Sequence, residues 1–277
     1  MLVVSLGDLV LDVIVRLAQP LAPGADAASR ITLGAGGQAA NVAAWVAASG
    51  GRARWLGKRA DDLAGRAAAA QLTSYGVELA GPVAPARNGV IVSLVEPDGS
   101  RSMCPDRGVA VELRPEEVTA ESLAGCEHLH VSGYALLREP VRLAAVRAIE
   151  LARLGGARVS VDLSSWSAIR DHGPERFRRE LEALAPDVVF CNEEEDAIVG
   201  GRVGDAAWIL KRGERGCSFD GDERAALPTD VVDTTGAGDA LAAGWIVGGP
   251  DLALASAARC VGQPGSMPSG YAGRRAV

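Results

Sequence analysis

The chain has 277 residues, 48% of them hydrophobic but only 4% aromatic, and a formal net charge of −7. This supplies ample apolar material for one large core of helices closely packed on a sheet. The acidic balance argues against nucleic acid or an anionic membrane as the primary partner, but not against a phosphorylated ligand, because backbone dipoles and a bound cation act locally.

Leu2–Leu6 reads as a buried first strand ending in Gly7-Asp8. No basic segment precedes it, and Asp8 and Asp12 interrupt the apolar run, so it is expected to be neither a signal peptide nor a transmembrane helix. Val10–Leu17 and 30–33 read as further strands. Gly34-Ala35-Gly36-Gly37 then opens a helix over 38–49, stopped by Gly50-Gly51. A strand at 54–56 and a helix at 63–75 follow. The runs 89–95 and 101–104 flank Pro97-Asp98-Gly99, a turn signal, and predict a hairpin. Strands at 128–131, 159–163, 187–190 and 208–210 then alternate with helices at 140–154, 175–184 and Glu193–Val199, the pattern of a parallel sheet covered on both faces. The strand-rich pieces near 10–33 and 89–106 break that alternation and read as a small extra sheet inserted into the α/β body. The five cysteines, Cys104, Cys126, Cys191, Cys217 and Cys260, are dispersed without a C-x-x-C, as expected of reduced thiols in a cytoplasmic protein.

Near the end, the apolar pair Val231 and Val232 is expected to close a strand, Thr234-Thr235-Gly236-Ala237-Gly238-Asp239 to form a tight loop, and 240–247 to be a helix. Free N–H groups at a helix N-terminus suit an anion, and glycine lets a phosphate approach closely. Asp239 is out of place beside a phosphate unless it takes a proton from an attacking hydroxyl. An acid at a helix start also has an ordinary explanation, the helix dipole. Asn41, a poor helix former one turn into the first helix, is either a binder of sugar hydroxyls or a tether for a neighbouring loop. Asn192 and Glu195 have the spacing of a capping box, or could hold a hydrated Mg²⁺. Arg212-Gly213-Glu214-Arg215-Gly216 is a surface turn or a phosphate-contacting loop. His128, His130 and His172 lack zinc spacing and read as structural. Gly34-x-Gly36-x-x-Ala39 imitates a dinucleotide fingerprint, but strands precede it and it leaves the second glycine loop unexplained. There is no G-x-x-x-x-G-K-[ST] loop.

Taken in order, Gly7-Asp8-x-x-x-Asp12, Gly36-Gly37-Gln38-Ala39-Ala40-Asn41, Leu56-Gly57-Lys58-x-x-Asp61-Asp62-x-x-Gly65, Asn192-x-x-Glu195, Lys211-Arg212-Gly213-x-x-Gly216 and Asp233-Thr234-Thr235-Gly236-Ala237-Gly238-Asp239 resemble the PfkB, or ribokinase-like, family of carbohydrate and nucleoside kinases along nearly the whole chain. The resemblance implies an α/β fold with a central, mostly parallel sheet flanked by helices, a ribokinase-like three-layer sandwich. It implies one kinase domain over 1–277, with a small β-sheet lid from about 10–34 and 87–108. It further implies a phosphotransferase with an alcohol acceptor, transferring phosphate from ATP to a hydroxyl of a sugar or sugar-like substrate.

Under the resemblance Asp239 is the base, and the backbone N–H groups of Gly236, Ala237 and Gly238 form an anion hole. Asp12, Gly36, Gly37 and Asn41 bind substrate. Asn192 and Glu195 hold Mg²⁺ through water, and Arg212, Gly213, Gly216 and Thr235 contact the nucleotide. Asp233 is a candidate ligand of a monovalent cation, K⁺. A homodimer through the lid is implied, with no nucleic-acid or membrane partner.

Three features depart from the family pattern. Asp162-Leu163-Ser164-Ser165-Trp166 lacks an arginine that binds acid sugars, although Arg107 could substitute. Ser132-Gly133 stands where ribokinases use a glutamate. The segment from Asp239 to Gly265-Ser266-Met267-Pro268 is about ten residues short. A nucleoside kinase and a non-catalytic sugar- or nucleotide-binding member are the rival readings.

Overall fold

The computed structural model describes residues 1–269. The first half contains β1 (Leu2–Leu6), β2 (Val10–Leu17), β3 (Ser29–Gly36), α1 (Gln38–Ala48), β4 (Arg52–Leu56), β5 (Arg59–Ala60), α2 (Leu63–Ser74), β6 (Glu78–Ala80), β7 (Val83–Ala84), β8 (Asn88–Val95) and β9 (Arg101–Gly108). The second half contains β10 (His128–Ser132), α3 (Val141–Leu154), β11 (Arg158–Asp162), α4 (Trp166–His172), α5 (Pro174–Leu184), β12 (Val188–Asn192), α6 (Glu193–Val199), β13 (Ala207–Lys211), β14 (Cys217–Phe219), β15 (Asp222–Arg224) and α7 (Ala237–Val261).

The central sheet has nine strands in the order β15-β14-β13-β12-β11-β10-β1-β4-β6. From β13 to β6 all neighbours are parallel, and β14 and β15 add an antiparallel edge. Parallel strands must be covered on both faces, and every residue of β1 and β10 is buried. Alternation sends Trp55 and Phe190 to the face packed by α1, α2 and α7, and Leu129, Val161 and Val189 to the face packed by α3 to α6. Alanines at 39, 40, 43, 44 and 47 of α1 are buried, as are Ala240, Ala242 and Ala243 of α7. Such small side chains allow the two helices to lie close, which is how a chain with so few aromatics fills its core. α7 has the length and apolarity of a membrane span, yet half of its most apolar window is buried in this core and Gly248-Gly249 interrupts its helical backbone.

A separate four-stranded sheet has the order β3-β2-β8-β9. The expected hairpin is present as β8 and β9, and β9 runs on through Pro105, tolerated because the strand lies at an edge. Register places Asp12, Ile14, Arg16, Ile91, Arg101 and Arg107 on one face, and Val13, Val15, Leu33, Val92 and Leu94 on the other.

Sequence and structure part at several places, among them β6 and the two-stranded sheet β5-β7, which no expected strand covers. Val231 and Val232 do not end a strand; both are exposed, and the N–H of Val232 donates to Val261 O at 2.8 Å, tying the segment to the end of α7 rather than to the sheet. The short helix α4, capped by Ser165 at the N–H of Ala168, and the edge hairpin β14-β15 were not expected.

Candidate active site

Asp239 lies in the first turn of α7, whose N-cap Gly236 holds φ +79°. A Cβ at Gly236 would sit 2.7 Å from the Ser266 Cβ, so glycine is required there by both backbone and space. The N–H groups of Gly236 and Gly238 find no acceptor among the described residues, whereas that of Ala237 donates to Thr234 O at 3.3 Å. Asp239 Oδ2 accepts from Asn41 Nδ2 at 2.7 Å, and its Oδ1 carries no hydrogen bond within the described residues. Asn41 in turn accepts from Ser266 Oγ at 3.0 Å. The poor helix former in α1 therefore has both ends of its amide engaged, one on the carboxylate and one on the loop opposite. Burial, with the Asp162 charge nearby, pushes the Asp239 carboxyl up to about 7, against the hydrogen bond from Asn41 and the Lys211 charge.

Lys211 ends β13 with its ammonium on Asp162 Oδ2 at 2.7 Å. A Cβ on Gly238 would lie 3.2 Å from the same nitrogen, so Lys211 borders the glycine loop. Burial works against its charge, but Asp162, Glu195 and Asp239 more than offset this and raise its pKa. Asp162 and Glu195 are 1% and 3% exposed. One cation thus serves three surrounding carboxylates, an arrangement short of positive charge. Glu195 and Asn192 form the capping box at the start of α6, exchanging N–H bonds at 2.9 and 2.8 Å, and each keeps one side-chain end free of them. Burial raises the Glu195 pKa, with Lys211 opposing.

A second acidic group lies beneath the small sheet. Arg107 of β9 binds Asp8 Oδ2 and stacks on the Tyr134 ring with its guanidinium 3.9 Å from the centroid. Asp8 Oδ1 is buried with no partner, so it is free to accept from a ligand hydroxyl. Asp12 is pushed up to about 7 by burial and by the Asp8 charge. A Cβ on Gly36 would come 2.1 Å from Asp12 Oδ2, and one on Gly37, at φ +99°, 2.5 Å from Asp8 O. Both glycines thus let the chain pass against the two acids. A cavity of about 380 Å³ opens beside them, lined among others by Asp12, Arg16, Arg30, Gly34, Tyr75 and Ser266.

Asp233 sits at the foot of the glycine loop with its side chain 1% exposed. Its Oδ1 accepts from Thr235 N at 3.0 Å, Thr235 Oγ1 at 2.6 Å and Arg101 Nη2 at 3.0 Å. Its Oδ2 accepts from Arg16 Nη2 at 3.1 Å and Gly265 N at 3.2 Å. Although burial alone would raise it, these bonds hold its carboxyl far below the usual range. The expectation of a monovalent cation here meets a carboxylate whose acceptor sites are filled by protein donors.

The remaining expected residues lie at the rim or in the scaffold. Arg212 pairs with Glu223 of β15, and Arg215 with Glu193. Gly213 and Gly216 both hold positive φ, and a Cβ on Gly216 would fall 2.0 Å from Arg224 O. Thr235 spends its N–H and hydroxyl on Asp233. His128 Nε2 and His130 Nδ1 share Ser160 Oγ at 2.8 and 2.9 Å, and burial pushes them down to about 3 and about 4, so both are neutral core groups. Sequence reasoning left out Lys211, Arg16 and Arg101 as site residues. A lysine as the last residue of an apolar strand was a signal for the first; the two arginines lie far from the loop in sequence and gave none.

A family model described as pfkB family carbohydrate kinase matches residues 1–260. Fructokinase-1 of Oryza sativa subsp. japonica is 32% identical over 264 residues, covering 86% of this chain and 80% of the relative. The ATP-dependent ribose-1-phosphate kinase of Halopiger xanaduensis is 32% identical over 262 residues, covering 87% and 82%. The crystal structure of adenosine kinase from Sinorhizobium meliloti superposes with a TM-score of 0.83 at 25% identity, covering 98% of this chain and 96% of the other.

Proposed function

This chain belongs to the pfkB family of carbohydrate kinases, and we propose that Asp239 is the base through which it transfers the γ-phosphoryl group of ATP to a sugar hydroxyl. The observation that carries this reading is the carboxylate itself: buried, held at Oδ2 by Asn41, and free at Oδ1 beside the glycine loop and Lys211. The hydroxyl oxygen of the acceptor forms a bond to the γ-phosphorus as its proton passes to Asp239 Oδ1. The bond from phosphorus to the bridging oxygen breaks, and ADP leaves with that electron pair. The N–H groups of Gly236 and Gly238, with the Lys211 ammonium, face the charge that spreads over the transferring oxygens. Asp8 and Asp12 accept from acceptor hydroxyls and orient the attacking one, with Gly36 and Gly37 giving the sugar room.

Mg²⁺ fits the donor set. Glu195 keeps Oε1 outside the capping box, an oxygen donor of the kind that suits an ion held largely by water and phosphates. Glu195 and Asn192 would hold it through water, where it neutralises phosphate charge and relieves the excess of carboxylates around Lys211.

The small sheet is read as a lid that excludes water from the transfer. Its strands carry no aromatic residue to stack on a base, which favours a sugar over a nucleoside. Arg30 faces the cavity without a carboxylate partner among the described residues, so sugar phosphates belong among the acceptors to test. The intact glycines, Asp239 and Lys211 argue against a non-catalytic member. The five cysteines are all free thiols, which supports a cytoplasmic location.

The test is ADP release from ATP and Mg²⁺ across ketoses, aldoses, sugar acids, ribose-1-phosphate and nucleosides, with the product identified by ³¹P NMR. Turnover of at least one sugar or sugar phosphate to a phosphate ester is expected. Faster turnover of a nucleoside than of every sugar would replace this reading with the nucleoside kinase; ATP binding with no turnover would replace it with the non-catalytic one.

The outer face of the lid, with Ile31 57% and Leu33 67% exposed next to Val13 and Val15, is an apolar surface suited to a second copy of the chain. Wild type is expected to run as a dimer in light scattering and Leu33→Glu as a monomer. A monomeric wild type would remove the proposal.

A further inference from the structure

The buried carboxylate of Asp233 does not fit the role of a ligand for a free monovalent cation. A carboxylate offers about four acceptor sites, and here the two guanidinium groups, the Thr235 N–H and hydroxyl and the Gly265 N–H already claim them. Two positive charges from the protein stand against this one negative charge. Both come from the lid: Arg16 from β2 and Arg101 from β9, on the face that also carries Asp12 and Arg107. Arg101 donates through its other terminal nitrogen to Thr235 Oγ1.

Asp233 joins two loops that meet at the base. Through Thr235 it fixes the residue before Gly236. Through Gly265 N it fixes the residue before Ser266, whose hydroxyl orients Asn41 and thereby Asp239. A charge that neutralises Asp233 therefore sets the geometry of both the anion hole and the base. The arginine side chains are themselves partly exposed, Arg16 at 39% and Arg101 at 28%, whereas Asp233 is at 1%. The cations are thus carried by the small sheet and the anion by the core.

We propose that Arg16 and Arg101 are positioning residues that replace a monovalent cation at Asp233, so that the seated lid, rather than K⁺, sets the glycine loop and the base for transfer. Turnover is then independent of K⁺. The charge at Asp233 is supplied only with the lid in place, which couples sugar enclosure to assembly of the anion hole.

The test compares K⁺, Na⁺ and tetramethylammonium chlorides at equal ionic strength, on full-length wild type and on Arg16→Met/Arg101→Met, by thermal melting and by acceptor-dependent ADP release. Wild type is expected to melt at the same temperature and turn over at the same rate in all three salts. The double substitution is expected to lower kcat roughly tenfold or more, the scale of a lost hydrogen bond to a charged group. In the double variant K⁺ alone raises the melting temperature, and K⁺ or low guanidinium restores part of kcat, a rescue that a merely structural defect would not show. A wild type that needs K⁺ for turnover, or that K⁺ selectively stabilises, overturns the proposal. So does a double variant with wild-type kcat. The ion exchange on wild type decides even if the double variant does not fold. If no acceptor turns over, the kinase reading fails, and the melting experiment still judges the site.

Discussion

Asp239→Asn is expected to lower kcat by roughly a hundredfold or more, the scale of a positioned base, while leaving ATP and sugar affinity near wild type. The amide keeps the shape of the carboxylate and an oxygen to accept from Asn41 Nδ2, so the link from α1 through Asn41 to Ser266 survives. What disappears is the free carboxylate oxygen, Oδ1, proposed to take the proton of the acceptor. The same change tests the electrostatics independently of activity. Burial first, and the Asp162 charge second, raise the Asp239 carboxyl from 3.8 to about 7. A carboxyl raised by folding leaves stability intact below its unfolded pKa and lowers it as pH rises through its folded pKa. Between those values wild type gives up stability, of the order of a few kcal/mol, that the uncharged amide keeps. Asp239→Asn is therefore expected to melt at or above wild type near about pH 8 and to lose that advantage near about pH 4. A variant that is inactive but also unstable at every pH would point to lost structure rather than a lost base.

Lys211→Met is expected to destabilise the protein by about 3–5 kcal/mol and to abolish measurable transfer, because it leaves buried carboxylates without their counter-charge. Asp162 loses its ion pair at 2.7 Å, and Glu195 and Asp239 lose the charge that restrains the rise of their pKa values. For a chain of this size the loss corresponds to a fall in melting temperature on the order of 10 °C. The sign with pH separates this account from simple loss of packing. Without Lys211 the folded-state pKa values of Glu195 and Asp239 rise further. The stability deficit then shrinks on acidification, when these groups are protonated, and grows toward alkaline pH. A deficit independent of pH would mean that the lysine stem, not its charge, supports the site. Arg at the same position would restore the charge but not the fit, since its planar fork differs from a compact ammonium.

The parts of the site that could be read in the sequence were those where an unusual residue stood at the end of a regular element. Two glycines before an Ala-rich helix, an Asn inside one, and an acid after a Gly-x-Gly loop each break a local rule, and each now lies beside Asp239 or the acids beneath the lid. The alternation of strands and helices in the second half fixed the layer order, because parallel strands cannot be left uncovered. The partners made by the small sheet were illegible. Arg16 and Arg101 read as the polar residues of half-exposed strands, and nothing local reveals that one face of that sheet turns toward Asp233; Arg107 reads only as a substitute binder of acid sugars, not as the partner of Asp8. Val231 and Val232 misled for the opposite reason: β-branched residues normally buried in a strand are here exposed in a connection to α7. The helix Trp166–His172 is too short for periodicity to report it.

Burial places the carboxyl of the proposed base, Asp239, near neutrality. The most direct measurement is kcat/KM for the acceptor as a function of pH, at saturating ATP and Mg²⁺. A tenfold rise per pH unit is expected on the acid side, bending to a plateau at about 7, as the carboxyl gives up its proton and becomes able to take one. A profile that stays flat from about pH 5 to about pH 8, or that falls as pH rises through that range, would contradict it.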